Sequence, residues 1–272
     1  MARKRLDLLL LERGLFSSRS AAQREILAGN ILVNSQLVDK PGALVARDAK
    51  IEIKQKSPYV SVGGLKLEKA LREFHINVTD KVCIDIGAST GGFTDCLLQH
   101  GAKKVYAVDV GKGQLDWRLR NDPRVIVLED VNARYLKPDQ IGEQVDLATI
   151  DVSFISLKLI LPTLKAIVKE RGDIIALVKP QFEAGKAKVK RGGVVKEAKV
   201  HIEVLQELAR FIREDLHLSV LNATFSPIKG PAGNIEFFLH IKADSYQLTA
   251  ISSKEINFEK LVAQAHEELS SC

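Results

Sequence analysis

The chain has 272 residues, 46% of them hydrophobic, enough to bury the core of one larger domain with a small module beside it, and no apolar run approaches the roughly 20 residues needed to span a bilayer. Three cysteines, Cys83, Cys96 and Cys272, are too few and too scattered for a disulfide framework or a metal cluster; with no secretory leader evident at the start, the expected setting is the reducing cytoplasm and no metal is expected. The net charge of +6 is concentrated in front: residues 1–56 carry 11 Lys/Arg against 6 Asp/Glu, whereas the remaining residues carry 29 against 28.

In chain order, Arg5–Gly14 reads as a short packed helix stopped by glycine, and Ser17-Ser18 is placed to cap a second helix over Arg19–Leu27. Short alternating strands follow at Ile31–Asn34 and Lys50–Lys54, separated by the turn Lys40-Pro41-Gly42. Together they predict a small α+β domain over 1–56, with a linker over 57–64 punctuated by Ser57-Pro58 and Gly63-Gly64 and a second domain over 65–272. A basic module beside a charge-balanced domain suits a polyanion held by one part and processed by the other; a merely solvated surface is the alternative.

From Lys66 onward, helical and strand patterns alternate. The apolar runs Lys81–Asp85, Lys104–Asp109, Val125–Glu129, Val145–Asp151 and Asp173–Lys179 each end in a charged residue, the pattern of buried parallel strands with function at their carboxyl ends. Two later strands, His217–Phe225 and Ile235–Lys242, lack a long helix between them, so a mostly parallel sheet finished by a reversed pair is expected. After the first strand comes Asp85-Ile-Gly87-Ala-Ser89-Thr-Gly91-Gly92-Phe93-Thr94, whose glycines permit a tight turn and a close approach to a ligand. Its G-x-x-x-G-G spacing is not that of a dinucleotide cradle, which argues against a nicotinamide oxidoreductase. Acidic Asp109 and Asp130 close the next two strands, where a ribose and an adenine edge would be met.

Several resemblances rest on these residues. The series Arg5-Leu-Asp, Ser18-Arg19, Gly29, Val33-Asn34, Lys40-Pro41-Gly42 and Asp48 resembles the RNA-binding fold first known from the fourth protein of the small ribosomal subunit. That resemblance implies structured RNA as partner and Arg3, Lys4, Arg5, Arg19 and Arg24 as phosphate contacts. Asp85, the glycine turn (Gly87, Ser89, Gly91, Gly92, Phe93), Asp109 and Asp130 resemble the S-adenosylmethionine (SAM) site of class I methyltransferases, which implies a Rossmann-like α/β fold. SAM is a sulfonium cation without phosphates, so a carboxylate-rich site suits it.

With Val60–Leu67, Asp151-Val-Ser-Phe-Ile-Ser, Leu177-Val-Lys-Pro-Gln-Phe-Glu and Gly230–Phe238 added, the chain resembles the TlyA, or hemolysin A, family of ribosomal RNA methyltransferases over almost its whole length. The second domain also resembles the FtsJ-like ribose 2′-O-methyltransferases, whose Lys, Asp, Lys, Glu tetrad falls on Lys66, Asp151, Lys179 and Glu236. The resemblance implies methyl transfer from SAM to a ribose 2′-hydroxyl, of cytidine in rRNA. Within the tetrad, Lys179 is assigned to activate the hydroxyl, with steering of its lone pair and loss of the proton to solvent as the alternative, Lys66 and Glu236 to position ribose or phosphate, and Asp151 to organise the site. Val62 departs from the pattern, since related sequences often carry Arg before the glycine pair.

Gly185–Gly193 is a basic, glycine-flanked segment whose Lys188, Lys190 and Arg191 would meet RNA if it closes over the site; a surface loop without function is the alternative. Glu255–Leu269 is expected to form a last helix with no evident chemistry. The expected partner is ribosomal RNA or a ribosomal subunit, with no membrane. Two rival readings are a non-catalytic ribosome-assembly factor, which the full tetrad argues against, and a membrane-lysing protein, which the lack of a spanning segment argues against.

Overall fold

The computed structural model describes residues 3–27, 30–34, 36–53, 58–185, 188–189, 192–243 and 256–270, without the side chains of residues 24, 37 and 270. Of the expected RNA contacts, Lys190, Arg191 and the side chain of Arg24 therefore lie outside the described residues. The chain divides into two compact units, Met1–Pro58 and Tyr59–Cys272.

The first unit runs β1 (Arg3–Arg5), α1 (Leu6–Glu12), α2 (Arg19–Leu27), β2 (Ile31–Val33), β3 (Gln36–Leu37), β4 (Leu44–Ala46) and β5 (Ile51–Ile53). Its antiparallel sheets are β1-β4 and β3-β2-β5. Leu6, Leu9 and Leu10, one face of α1 at helical spacing, pack on Ala22 and Ile26 of α2 and on Ile31, Val33 and Val45. Ser18 Oγ accepts from Ala21 N at 3.2 Å and caps α2 as expected. Arg5, read from sequence as the start of a helix, instead ends a strand, because Arg3–Arg5 pair with Leu44–Ala46, a contact that local periodicity does not register.

The second unit runs α3 (Gly63–Glu73), β6 (Val82–Ile86), α4 (Gly92–Gln99), β7 (Lys104–Val108), α5 (Trp117–Arg120), β8 (Val125–Leu128), α6 (Pro138–Ile141), β9 (Val145–Ile150), α7 (Leu161–Ile167), β10 (Val168–Val178), α8 (Pro180–Glu183), α9 (Ala198–Glu214), β11 (Ser219–Phe225), β12 (Phe237–Lys242) and α10 (Phe258–Ser270). The seven strands lie in the order β11-β12-β10-β9-β6-β7-β8. Neighbours from β10 to β8 are parallel, and β12 and β11 complete the sheet antiparallel, which is the reversed pair expected from sequence.

Helices cover both faces. On one, Leu67 and Leu71 of α3 and Cys96 and Leu97 of α4 join Cys83, Val105 and Leu147. On the other, Leu161 and Leu164 of α7, Leu205 and Leu208 of α9 and Val262 of α10 cover Ile84, Ile150 and Ile174. Both described cysteines are buried and free. The chain order reverses at β6, which has β7 on one side and β9 on the other; in open α/β sheets ligands collect at the carboxyl ends of strands beside such a switch point. Of the expected linker over 57–64, residues 59–64 belong to the second compact unit. Tyr59 is buried in the second unit, and a Cβ on Gly64 would lie 2.2 Å from its ring.

Candidate active site

The turn after β6 is built on close packing. Gly87 has φ +84°, and a Cβ there would stand 2.4 Å from the backbone carbonyl oxygen of Asp151. A Cβ on Gly91 would meet Leu119 at 2.2 Å, and one on Gly92 would meet Ser61 Oγ at 2.2 Å and Gly64 N at 3.0 Å. At these three glycines the turn makes close approaches to protein backbone and side chains. They bring the end of β6, the start of α3 and the strand end at Asp151 into contact, and Val60 N donating to Asp95 Oδ2 at 2.8 Å adds a tie between the entry segment and α4.

Asp85 and Phe93 do not reach the surface of the site. Asp85 is completely buried, with Thr94 Oγ1 donating at 2.7 Å and Thr149 Oγ1 at 3.0 Å, and burial pushes its carboxyl up to about 7. Phe93 packs against Phe238 in the core. Both shape the turn from beneath. Asp109 is half-buried, its two oxygens taking Ser89 N and Gly111 N, each at 2.7 Å. Ser89, Val110 and Asp130 are exposed, and Asp130 pairs with Lys112 at 3.3 Å.

The structure brings Lys66, Asp151, Lys179 and Glu236 together from four separate segments. Lys66 Nζ lies 2.6 Å from Glu236 Oε2, with side chains 8% and 1% exposed. Lys179 Nζ lies 2.6 Å from Asp151 Oδ1, with side chains 12% and 22% exposed. The groups sense one another: burial pushes the Glu236 carboxyl up, Lys66 and then Lys179 pull it down, and Asp151 opposes them. Lys179 donates to Ser153 Oγ at 2.9 Å, and Asp151 Oδ1, though touching the ammonium, has no donor aligned on it. Gly230 makes room for the buried carboxylate, since a Cβ there would stand 2.4 Å from Glu236 Oε1.

The loops after β9 and β10 are zipped together beyond the Lys179–Asp151 contact. Phe154 and Phe182 rings lie 5.0 Å apart, and Glu183 accepts from Ser156 Oγ at 2.6 Å and from Leu157 N at 2.8 Å. Phe154 is 90% exposed at φ +64°, an uncommon backbone state for a bulky side chain. Sequence reasoning singled out neither Ser153 nor Phe154. Their place directly after Asp151 was the available signal, but exposure and ring contact emerge only in the fold.

The FtsJ-like methyltransferase family model matches residues 59–243, and the S4 domain model matches residues 4–51. The chain belongs to the FtsJ-like methyltransferase family. A Bacillus subtilis relative, YqxC, provisionally named an rRNA methyltransferase, is 48% identical over 269 residues, covering 98% of this chain and 95% of its own. The 16S/23S rRNA (cytidine-2′-O)-methyltransferase TlyA of Mycobacterium tuberculosis is 44% identical over 93% of this chain and 95% of its own. A solved structure from Streptococcus thermophilus, described provisionally as a hemolysin, has 45% identity and a TM-score of 0.76, covering all of this chain and 98% of that one.

The S4 domain holds several of its expected RNA contacts on acidic partners. Arg5 and Arg19 both donate to the fully buried Asp7, at 3.1 Å and 2.9 Å, and Gln23 joins them at 2.9 Å. Hydrogen bonding from Arg5 above all holds the Asp7 carboxyl far below the usual carboxylate range. Both guanidinium groups remain about half exposed, so each offers further N–H donors from a fixed position. Lys4 pairs with Glu12 at 2.5 Å, Arg3 is exposed, and Lys188 of the methyltransferase unit pairs with Glu203 at 2.7 Å. Among the described residues, no helix is long and apolar enough to cross a membrane.

Proposed function

We propose that this methyltransferase moves a methyl group from SAM to the ribose 2′-hydroxyl of a cytidine in ribosomal RNA. The observation that carries this reading is the assembly of Lys66, Asp151, Lys179 and Glu236 at the strand ends, with the Lys179–Asp151 pair on the more open side. Gly87, Ser89, Gly91 and Gly92 provide the turn against which SAM would lie, with Asp109 and Asp130 toward its ribose and adenine. The Asp109 and Asp130 carboxylates and an exposed apolar Val110 fit a nucleoside joined to a sulfonium centre. When bound, SAM supplies an electrophilic methyl carbon.

The residues of the chain do the rest. Asp151 and Ser153 hold the Lys179 amine in place, and the substrate hydroxyl takes over one of those contacts. Once its own proton has passed to solvent, the neutral Lys179 amine takes the hydroxyl proton as the ribose oxygen receives the methyl group that bound SAM would supply, the sulfonium sulfur keeping the electron pair. The more deeply buried Lys66–Glu236 pair fixes the local field and the geometry of its neighbours. Phe154 offers an open aromatic face on which the base of an unstacked target nucleotide can lie. The S4 domain supplies RNA affinity through Arg3, Lys4, Arg5, Arg19 and Arg24, and Lys188, Lys190 and Arg191 add cations on the catalytic unit.

The reading is tested by incubating the protein with methyl-labelled SAM and ribosomal subunits, digesting the RNA to nucleosides and identifying the labelled product. Label in 2′-O-methylcytidine is the expected result. Label only in base-methylated nucleosides, or none, would refute it.

A further inference from the structure

The carboxy-terminal helix α10 lies beyond the residues matched by the methyltransferase family model, yet a run of polar contacts joins it to the turn that carries Glu236. His266 of α10 and His201 of α9 meet ring to ring, His266 Nε2 lying 3.0 Å from His201 Nδ1. His201 Nε2 lies 3.2 Å from the carbonyl oxygen of Val195, and Val195 N donates to Asn234 Oδ1 at 2.9 Å. Asn234 Nδ2 donates to Gly193 O at 2.9 Å, and Asn234 O accepts from Gly230 N at 2.9 Å. Gly230 is the residue packed on the Glu236 carboxylate. The His201 ring also sits edge-on to Phe237, the residue after Glu236, at 5.4 Å between centroids. Gly230, which packs on the Glu236 carboxylate, and Phe237, the next residue of the chain, thus both lead back to one imidazole.

The proton pattern of this run is fixed by its ends. A carbonyl oxygen only accepts, so His201 carries its proton on Nε2; its Nδ1 is then an acceptor, and His266 donates from Nε2. His201 is completely buried, and its burial, then the neighbouring His266, pushes its imidazole down to about 4, which keeps it neutral under ordinary conditions. Neither histidine has a part in methyl transfer as described above, and a buried imidazole satisfied on both nitrogens is an expensive way to fill space that Leu or Phe would fill without polar groups.

We propose that His201 is a positioning residue for Glu236, passing the seating of α10 through Val195 and Asn234 to the turn that holds that carboxylate. This rests on the reading of Glu236 as a member of the working tetrad. The consequence is that α10 acts on the chemical step at a distance and that the anchor of the segment ending at Gly193 is shared with the active site.

The experiment is steady-state and single-turnover methylation of ribosomal subunits by the full chain, with SAM affinity measured alongside. His201→Leu is expected to lower kcat by about 10- to 100-fold, the usual consequence of a small misplacement in a site, with KM and SAM affinity little changed. His201→Gln, whose side-chain N–H can still reach Val195 O, is expected to recover most of the rate. His266→Leu, on a partly exposed ring, is expected to show a smaller loss that His266→Gln reverses, and it serves if His201→Leu does not fold. Leu208→Ala, a buried α9 residue away from the polar run, controls for general loosening and is expected to keep its kcat. Parent-like kcat in both leucine variants, or an equal fall in Leu208→Ala, overturns the proposal. Glu236→Gln separates the two readings: if it is slow while His201→Leu is fast, the coupling alone is wrong, and if Glu236→Gln keeps the parent rate, the tetrad reading falls and the coupling with it.

Discussion

Two lysine–carboxylate pairs meet in the candidate active site at the same 2.6 Å separation, and their surroundings differ. Lys66–Glu236 is almost sealed, its carboxylate packed under Gly230. Lys179–Asp151 is partly open, bordered by the exposed Ser153 and Phe154. A sealed pair cannot trade its partner for a substrate hydroxyl without opening the protein, whereas a pair at the edge can. In the proposed reaction, burial thus divides chemically equivalent side chains into a pair that holds the site in shape and a pair that meets the ribose.

The division breaks first at Lys66. Lys66→Met leaves the Glu236 carboxylate buried without its cation, and removing one partner of a buried ion pair typically costs about 3–5 kcal/mol. A large fall in Tm is expected, read by calorimetry; Lys179→Met, at the open pair, should lower Tm far less, and equal falls would erase the distinction. Next in size is Gly87→Ala. The added methyl strikes the Asp151 carbonyl oxygen, and the positive φ adds strain of about 1–3 kcal/mol. Stability and methylation rate should fall together in a denaturation and rate comparison, whereas a lost SAM affinity with unchanged Tm would mean that this position faces ligand alone.

How far the sequence already revealed this depended on the kind of contact. Lys179 and Asp151 were visible because each ends an apolar strand run with a charge, and Lys66 and Glu236 stood in recognisable motifs; their split into sealed and open pairs was not visible, since burial depends on Gly230, α3 and the sheet at once. The glycine turn was legible as a turn, but not what it approaches: the neighbours of Gly87, Gly91 and Gly92 lie about 64, 28 and 31 residues away along the chain. In the first unit both helices were apparent, while β1 escaped notice because its partner β4 is distant in sequence. His201 drew no notice in the sequence, because its partner His266 lies 65 residues away on another helix and only the fold brings the two rings together.

Smaller effects sharpen the contrast between buried and open charge. The Asp85 carboxyl sits at about 7 against an ordinary 3.8, so the folded state keeps a proton that the unfolded chain gives up. The sign follows: this group favours folding most fully below pH 3.8, and the benefit is lost as pH rises through about 7. Asp85→Asn should flatten that part of the Tm–pH curve, and an unchanged curve would show the carboxyl to be ionised in the fold. In the S4 domain, Arg3→Gln should leave Tm unchanged and lower the log–log salt slope of RNA binding by somewhat less than about 0.9, the value for one phosphate contact on duplex DNA. An unaltered slope would remove Arg3 from the RNA surface.

In the proposed reaction the open pair, through Lys179, activates the ribose hydroxyl. This role is tested most directly by single-turnover methylation of ribosomal subunits at saturating SAM with Lys179→Ala and Lys179→Arg. Loss of a general base typically costs about 100- to 10,000-fold in rate, and a guanidinium keeps the charge but cannot take the proton. Both variants are expected to bind SAM and RNA nearly as the parent does and to lose rate within that range. Methyl transfer by both within a few-fold of the parent would contradict this role, and full activity in Lys179→Arg alone would replace proton acceptance with electrostatic steering of the hydroxyl.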